Sequence, residues 1–385
     1  MFRGWETRLP ASGGPPALAS AAGGARGDSQ AAKDCHPSQP NLSFSPRPIQ
    51  DAELSTPARF VRRALGRLCR LVTRRRRTPQ APADATAQVS QFWAARAAET
   101  GDCPALPGIW TWHPVVRAGM NRRISGRGDM EWLAWVQAAF FPEPVGRALS
   151  LGCGGGQLER EAISLRLCRA VEGVDVSEGA VALARQRAAD AGLPGITYRV
   201  ADLNQVELPA GTYDLVMVKQ SLHHVSRLEH VLDQVLRSLR PRGWLLVNEF
   251  VGPSRFQWTE TQLSIINQLL PLLPERLRRV GGPQGAVRER VDPAPIEQLL
   301  AQDPSEAVRS SEILSLVEQR FEVLVRRDFG GTLLNPMLEG IAPNFSPESE
   351  EDTAILQLLI LTEDLLIERK AIPSDFTLLV TRKPG

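Results

Sequence analysis

A parallel β-sheet wrapped by helices is the fold class that this 385-residue sequence predicts. Three observations carry that expectation. From Arg147 onward, short apolar runs alternate with helical patterns, the rhythm of successive β-α units. The first run, "RALSL", leads directly into a glycine-rich turn and then a helix-like stretch, "GCGGGQLEREAISL". The run "YDLVMVK" is apolar almost throughout, as a strand buried on both faces must be.

Taken in order, residues 1–57 are dominated by Ala, Gly, Ser and Pro. Such a composition buries too little apolar surface to offset its ordering entropy, so a disordered tail is expected. In "ARFVRRALGRLCRLVTRRRR", residues 58–77, Val61, Ala64, Leu65, Leu68, Leu71 and Val72 recur at helical spacing and arginines fill the opposite face. This basic amphipathic helix either lies on an anionic membrane, each arginine contributing about 1 kcal/mol near the surface, or is a solvated linker or docked helix. A linker, including "TPQAPADATA", follows up to residue 88. Residues 89–144 form a helical cover, with patterns in "QFWAARAAE", "WHPVVRAGMNRRISG" and "DMEWLAWVQAAFF". The main domain spans 145–385. Its strands are expected at 147–151, 170–175, 196–200, 213–218 and 243–249, with helices near 156–166, 178–191 and 228–239. "RPRG" reads as a turn feeding the fifth strand. A helical insertion is expected at about 253–320. Two later strands, "FEVLVRRDF" and "DFTLLVTRK", each follow a helix and bring the count to seven.

Composition removes several function classes. A net charge of +2 gives no global case for nucleic acid. The five cysteines show no CxxC or Cys/His spacing, so no metal is expected, and their scatter fits a reducing cytoplasm. No apolar run reaches the roughly 18 residues of a membrane-spanning helix, and the first residues lack an apolar signal-peptide core. The expected location is cytoplasmic, peripheral at the inner membrane surface if residues 58–77 make that contact. Oligomeric state is not legible in the sequence.

The chemistry concentrates at the ends of the first four strands. Gly152, Gly154 and Gly156 make a GxGxG turn opening a helix; such turns admit a ligand close to the backbone and aim N–H groups at it. A dinucleotide fingerprint would be GxGxxG, but its last glycine is replaced by Gln157, which tilts the reading from NAD towards S-adenosylmethionine. Asp175 ends the second strand about 20 residues later, where a carboxylate can accept from both ribose hydroxyls; Ser177 is the helix cap. Asp202, with Leu203 beside it, either accepts from an adenine amino group or is a solvated loop acid. The fourth strand ends in Lys219, Gln220, Ser221, His223 and His224, facing the same mouth.

In that order, residues from about 145 to 250 resemble the class I S-adenosylmethionine-dependent methyltransferases of the small-molecule type. "LSLGCGGG" is similar to their first motif, "VDVS" to their ribose-binding acid, "VADLN" to their adenine-side aspartate and "SLHHV" to their fourth strand end. The resemblance implies a Rossmann-like seven-stranded, mostly parallel sheet closed by an antiparallel hairpin. It implies S-adenosylmethionine as cofactor, held by Gly152, Cys153, Gly154, Gly156, Asp175, Val176, Asp202, Leu203 and Lys219. Ser150 stands where the family usually carries an acid. The remainder is similar to bacterial methyltransferases associated with cell-surface glycan genes, which ranks a small-molecule or glycan-like acceptor first.

Methyl transfer from a sulfonium is an in-line displacement in which alignment is worth up to roughly 7–11 kcal/mol. A base adds typically about 10²–10⁴-fold for an oxygen acceptor. His223 and His224 are candidate bases, one of them alternatively a structural histidine, and Glu249 is the competing base or a substrate holder. Arg255 and Trp258 either bind a substrate carboxylate and stack on a sugar ring or simply pack. The tryptophans of the cover (Trp93, Trp110, Trp112, Trp132, Trp135) suit either a lid, with Arg117, Arg122 and Arg123 meeting the cofactor's carboxylate, or padding on the sheet's flank. A quinone or lipid acceptor, and a non-catalytic cofactor-binding relative, are the alternative functions.

Overall fold

The computed structural model describes residues 83–100 and 109–385. The expected tail at 1–57 and basic helix at 58–77 lie outside the described residues. Seven strands form one sheet: β1 (Val145–Leu151), β2 (Cys168–Asp175), β3 (Ile196–Val200), β4 (Tyr213–Lys219), β5 (Leu239–Phe250), β6 (Glu322–Gly330) and β7 (Phe376–Arg382). Their order is β3-β2-β1-β4-β5-β7-β6. The first five are parallel, and β7 runs antiparallel to both β5 and β6. The predicted Rossmann-like sheet with its closing hairpin is therefore present. After β1 the chain builds outward through β2 and β3, then returns to lay β4 on the other side of β1. That reversal opens a crevice at the carboxyl ends of β1 and β4, where open α/β sheets bind ligands.

The helices between these strands are α4 (Gln157–Ser164), α5 (Glu178–Asp190) and α6 (Leu228–Ser238), preceded by α1 (Ala83–Thr100), α2 (Pro114–Ser125) and α3 (Trp132–Phe140). Beyond β5 come α7 (Glu260–Leu269), α8 (Ile296–Gln302), α9 (Ile313–Glu318), α10 (Leu334–Leu338) and α11 (Glu350–Glu368). Residues alternate across the sheet with period two. Leu215 and Met217 of β4 join a core containing Leu133, Val136, Leu356 and Ile360. Val216 and Val218 face the opposite core, with Val231, Leu232 and Val235 of α6 and Ile313 and Val317 of α9. Among the described residues, no helix is long and apolar enough to cross a membrane.

Two expectations are corrected. "RPRG" does not precede β5 but lies inside it: Arg242 adopts φ +58° and the β4–β5 register shifts between Tyr213 and Leu215, the signature of a bulge that keeps pairing through an irregular stretch. The stretch at 253–320 is only partly helical. Pro271, Pro274, Pro283, Pro293 and Pro295 interrupt it, because proline removes a helical donor and clashes with the preceding turn; α7, α8 and α9 are joined by single turns and loops.

The N-terminal cover divides in two. α1 rests on α5, where Ala94 meets Gly179 closely and the Ser177 hydroxyl donates to the Ser90 carbonyl at 2.9 Å. The other two helices belong to the core beneath the hairpin, with Trp110, Val116, Ile124 and Trp132 buried there. Arg123 of α2 fixes them: it pairs with Asp364 and with the fully buried Glu363 of α11 at 2.9 Å. Glu363 in turn accepts from Gly331 N (3.0 Å), Leu333 N (2.8 Å) and Leu334 N (3.1 Å). Removing the arginine leaves a buried carboxylate without its counter-charge. Arg123→Ala is expected to lower unfolding free energy by about 3–5 kcal/mol, measured by urea denaturation; a loss below about 1 kcal/mol would show that backbone donors alone neutralise Glu363.

Candidate active site

At the β1/β4 crevice lies a cavity of about 210 Å³, bordered by Gly152, Gly154, Asp175, Val176, Asp202 and Leu203. Its opposite wall carries Gln220, Ser221 and His224, and α1 supplies Thr86, Val89 and Trp93. The glycines are there for distinct reasons. Gly152 has φ +72°, and a Cβ on it would sit 2.3 Å from the Ser221 Cβ. Gly154 has φ +49° with open space beyond, so its backbone is what a ligand meets. Gly156 caps α4 with φ +78° and lets Tyr198 and Ala184 approach; it lies behind the cavity wall and acts through packing. Cys153 also faces inward, against Gly173, and burial pushes its thiol well up.

Asp175 holds the turn as well as facing the cavity. One oxygen accepts from Gly154 N at 2.9 Å and the other from Ser177 N at 2.9 Å. Each carboxylate oxygen keeps a further acceptor site, so ribose hydroxyls remain within its chemistry. Burial raises its pKa, opposed by those backbone donors. Asp202 accepts from Asn204 N (2.8 Å), Asn204 Nδ2 (3.0 Å) and Gln205 Nε2 (2.9 Å). Lys219 does not border the cavity; its charge acts on Glu161 of α4 instead. Ser150 is buried. Beside it lies Glu159 of α4, fully buried and raised by burial to about 7, with the Ser150 hydroxyl opposing the rise.

The expected base Glu249 is saturated. Its Oε2 accepts from Ser221 N (2.8 Å) and Leu222 N (2.7 Å), and its Oε1 from Phe250 N (2.8 Å) and the His223 ring at Nδ1. It does not border this cavity. His223 Nε2 faces Glu306 Oε1 at 3.5 Å. Burial opposes charge on His223, but Glu249 and then Glu306 outweigh it and push its pKa up. His224 is held down, first by burial and then by its neighbour's charge. Its Nδ1 meets the Ser305 hydroxyl at 3.1 Å, and that hydroxyl donates to Asp303 at 2.6 Å. The hydroxyl's own proton is thus spent on Asp303, so His224 is the donor at Nδ1 and carries its lone pair at Nε2. Trp93 packs edge-on against His224, with ring centroids 5.0 Å apart.

A second cavity of about 490 Å³ adjoins, lined by Phe256, Trp258, Arg288, Arg290, Gln298 and Glu306 among others. Trp258 stacks on Phe256, centroids 5.4 Å apart and planes 24° apart. Arg255, expected to bind substrate, borders neither cavity. It donates to the Glu306 carbonyl at 2.8 Å and so braces the 303–307 loop. Among the described residues of the cover, only those of α1 border the mouth, and Arg117, Arg122 and Arg123 lie outside its lining. Sequence reading missed Asp303, Ser305 and Glu306. Their signal was the short polar run "DPSE", inside a segment with no periodicity to place it.

Residues 149–247 match the family model described as a methyltransferase domain. The chain is similar to 27-O-demethylrifamycin SV methyltransferase of Amycolatopsis mediterranei, 33% identical over 120 residues, covering 30% of this chain and 42% of that protein. It is also similar to the ubiquinone/menaquinone biosynthesis C-methyltransferase UbiE of Geobacter sulfurreducens, 30% identical over 141 residues, 35% and 53% of the two chains. The chain thus spans about half the length of the curated relatives it matches. Among solved structures, an S-adenosylmethionine-dependent methyltransferase from Mesorhizobium loti aligns with a TM-score of 0.38 at 21% identity, over 66% of this chain and 97% of that one.

Gly152, crowded by Ser221, and Gly154, with open space beyond it, separate sterics from strain. Gly152→Ala combines an αL penalty with a clash and is expected to cost more than about 2 kcal/mol. Gly154→Ala carries the backbone term alone, about 1 kcal/mol. Equal midpoints in chemical denaturation would contradict this account of the β1–β4 approach.

Proposed function

We propose that the protein is an S-adenosylmethionine-dependent methyltransferase, with the cofactor in the 210 Å³ cavity and a polar small-molecule acceptor in the adjoining one. The observation that carries the reading is convergence. The glycine turn, Asp175 and Asp202 come from three different strand ends and border one cavity at the sheet's switch point. In this reading Asp175 accepts from the ribose, Asp202 and Leu203 flank the adenine, and the backbone at Gly152 and Gly154 takes the methionyl part. Gly156, Cys153 and Lys219 support that arrangement from behind.

The reaction breaks the S–CH₃ bond and forms a bond from methyl carbon to the acceptor, releasing S-adenosylhomocysteine. The donor is already activated, so the protein's main contribution is alignment. Glu306 borders the second cavity and His224 the first, so the His223–His224–Glu306 cluster forms part of the partition across which acceptor and methyl group meet. An acceptor proton leaves towards that cluster. The stacked Phe256 and Trp258, with Arg288, Arg290 and Gln298, favour a ring-bearing acceptor with several hydrogen-bonding groups, in keeping with a glycan-like compound and O-methylation. A quinone-type acceptor is the second reading: several relatives carry that name, but the charged lining of the cavity suits it less.

Isothermal titration with S-adenosylhomocysteine tests the cofactor assignment. Asp175→Ala is expected to weaken binding about 10- to 150-fold, the scale of about 1.5–3 kcal/mol for hydrogen bonds to a charged group. Transfer of labelled methyl into a cell extract tests turnover and exposes a non-catalytic relative. Binding of NADH without binding of S-adenosylhomocysteine would overturn the reading.

A further inference from the structure

We propose that His223, His224 and Glu306 form a binding site for a divalent transition-metal ion, of the zinc or iron(II) type, in the partition between the two cavities. The inference stands on donor geometry. One ligand atom from each of the three residues lies within 4.8 Å of the others. His223 Nε2 is 3.5 Å from Glu306 Oε1 and His224 Nε2 is 3.9 Å from Glu306 Oε2. Ligand atoms sharing a metal at about 2.0–2.2 Å stand roughly 3.0–3.5 Å apart; the His223–Glu306 pair, at 3.5 Å, already meets that spacing, and the His224–Glu306 pair, at 3.9 Å, needs a small contraction.

The outer shell is that of a metal site too. Metal-ligating imidazoles characteristically donate their other nitrogen to a carboxylate or a hydrogen-bonded oxygen, which fixes tautomer and ring plane. Both histidines do so: His223 Nδ1 to Glu249, and His224 Nδ1 to Ser305, itself held by Asp303. Each imidazole therefore turns Nε2 towards the same carboxylate. With Nδ1–H spent on these partners, each imidazole in its neutral form carries its lone pair at Nε2, facing the Glu306 carboxylate, and a divalent ion there takes the place of the proton that His223 otherwise shares with Glu306. Two imidazoles and one carboxylate suit zinc, iron(II) or nickel better than magnesium or calcium.

Three protein ligands leave coordination positions open. His224 reaches the first cavity and Glu306 the second, so those positions face the meeting point of the two. An acceptor hydroxyl coordinated there would be easier to deprotonate; this last clause rests on the methyl-transfer reading, whereas metal binding does not. No local spacing pointed to the site, because Glu306 lies more than 80 residues after the histidines.

The test uses tag-free full-length protein, stripped with a chelator and titrated with Co²⁺ and then Zn²⁺. The proposal expects one equivalent of tight binding, with visible d–d bands typical of a low-coordinate nitrogen/oxygen site and no thiolate charge-transfer band. Glu306→Gln and His224→Ala are expected to weaken it at least 100-fold with unchanged far-UV circular dichroism. Asp303→Asn, one shell further out, is expected to weaken it about 10- to 100-fold. Absence of stoichiometric binding in the wild type, or equal affinity in wild type and Glu306→Gln, would overturn the site and leave Glu306 as the counter-ion of a protonated His223. Because the titration contains no cofactor, its failure leaves the methyltransferase reading standing. Loss of S-adenosylhomocysteine binding alone would remove that reading and leave the metal site.

Discussion

The Glu249 carboxylate is the interaction on which the site depends. Fully buried at the end of β5, it accepts from the backbone of Ser221 and Leu222 and from the ring of His223. Those bonds tie the turn after β4 to its neighbouring strand. Ser221 then reaches the other way, its hydroxyl donating to the Leu151 carbonyl at 2.8 Å. Three strand ends are thereby locked in one plane, and the price is that residue 152 has no room for a side chain. A buried carboxylate is costly unless its acceptor sites are filled; here four donors fill them, and together they hold the mouth in place.

From that anchor the rest of the site follows. With Glu249 on Nδ1, His223 presents Nε2 to Glu306. His224, next in sequence, takes its own Nδ1 partner from the same "DPSE" loop, which Arg255 braces through the Glu306 carbonyl. The partition is therefore a joint product of the turn after β4 and the insertion between β5 and β6. The cavity on its sheet side is walled by the glycine backbone, two carboxylates and apolar side chains such as Val89, Trp93 and Leu203, and the one on its far side by stacked aromatics, arginines and amides. This asymmetry favours a nucleoside-bearing cofactor on one side and a polar ring on the other.

The sheet was legible because most strands declare themselves locally, as short apolar-rich runs separated by turn or helix signals. The glycine turn, Asp175 and Asp202 were legible because they follow their strands directly and the switch point brings strand ends together. Glu249 was found but its role was not, since saturation by backbone donors is a tertiary fact. Arg255 and Trp258 stand three residues apart, yet one braces a loop while the other lines a cavity. Asp303, Ser305 and Glu306 escaped notice because a proline-broken segment has no period that assigns its residues a face. The tryptophan-rich cover split for a related reason: α1 crosses the mouth, while the helices after it bury their aromatic residues under the hairpin, a choice fixed by the distant Glu363 and Asp364.

The central claim is that the β1/β4 crevice holds a nucleoside-bearing methyl donor between Asp175 and Asp202. A crystal structure of the protein with S-adenosylhomocysteine tests it most directly. The account expects ribose hydroxyls within about 3 Å of the Asp175 carboxylate, the adenine against Leu203, and the sulfur directed towards His224 and the partition. Density for the ligand in the Trp258 cavity, with the glycine turn left without it, would contradict the account.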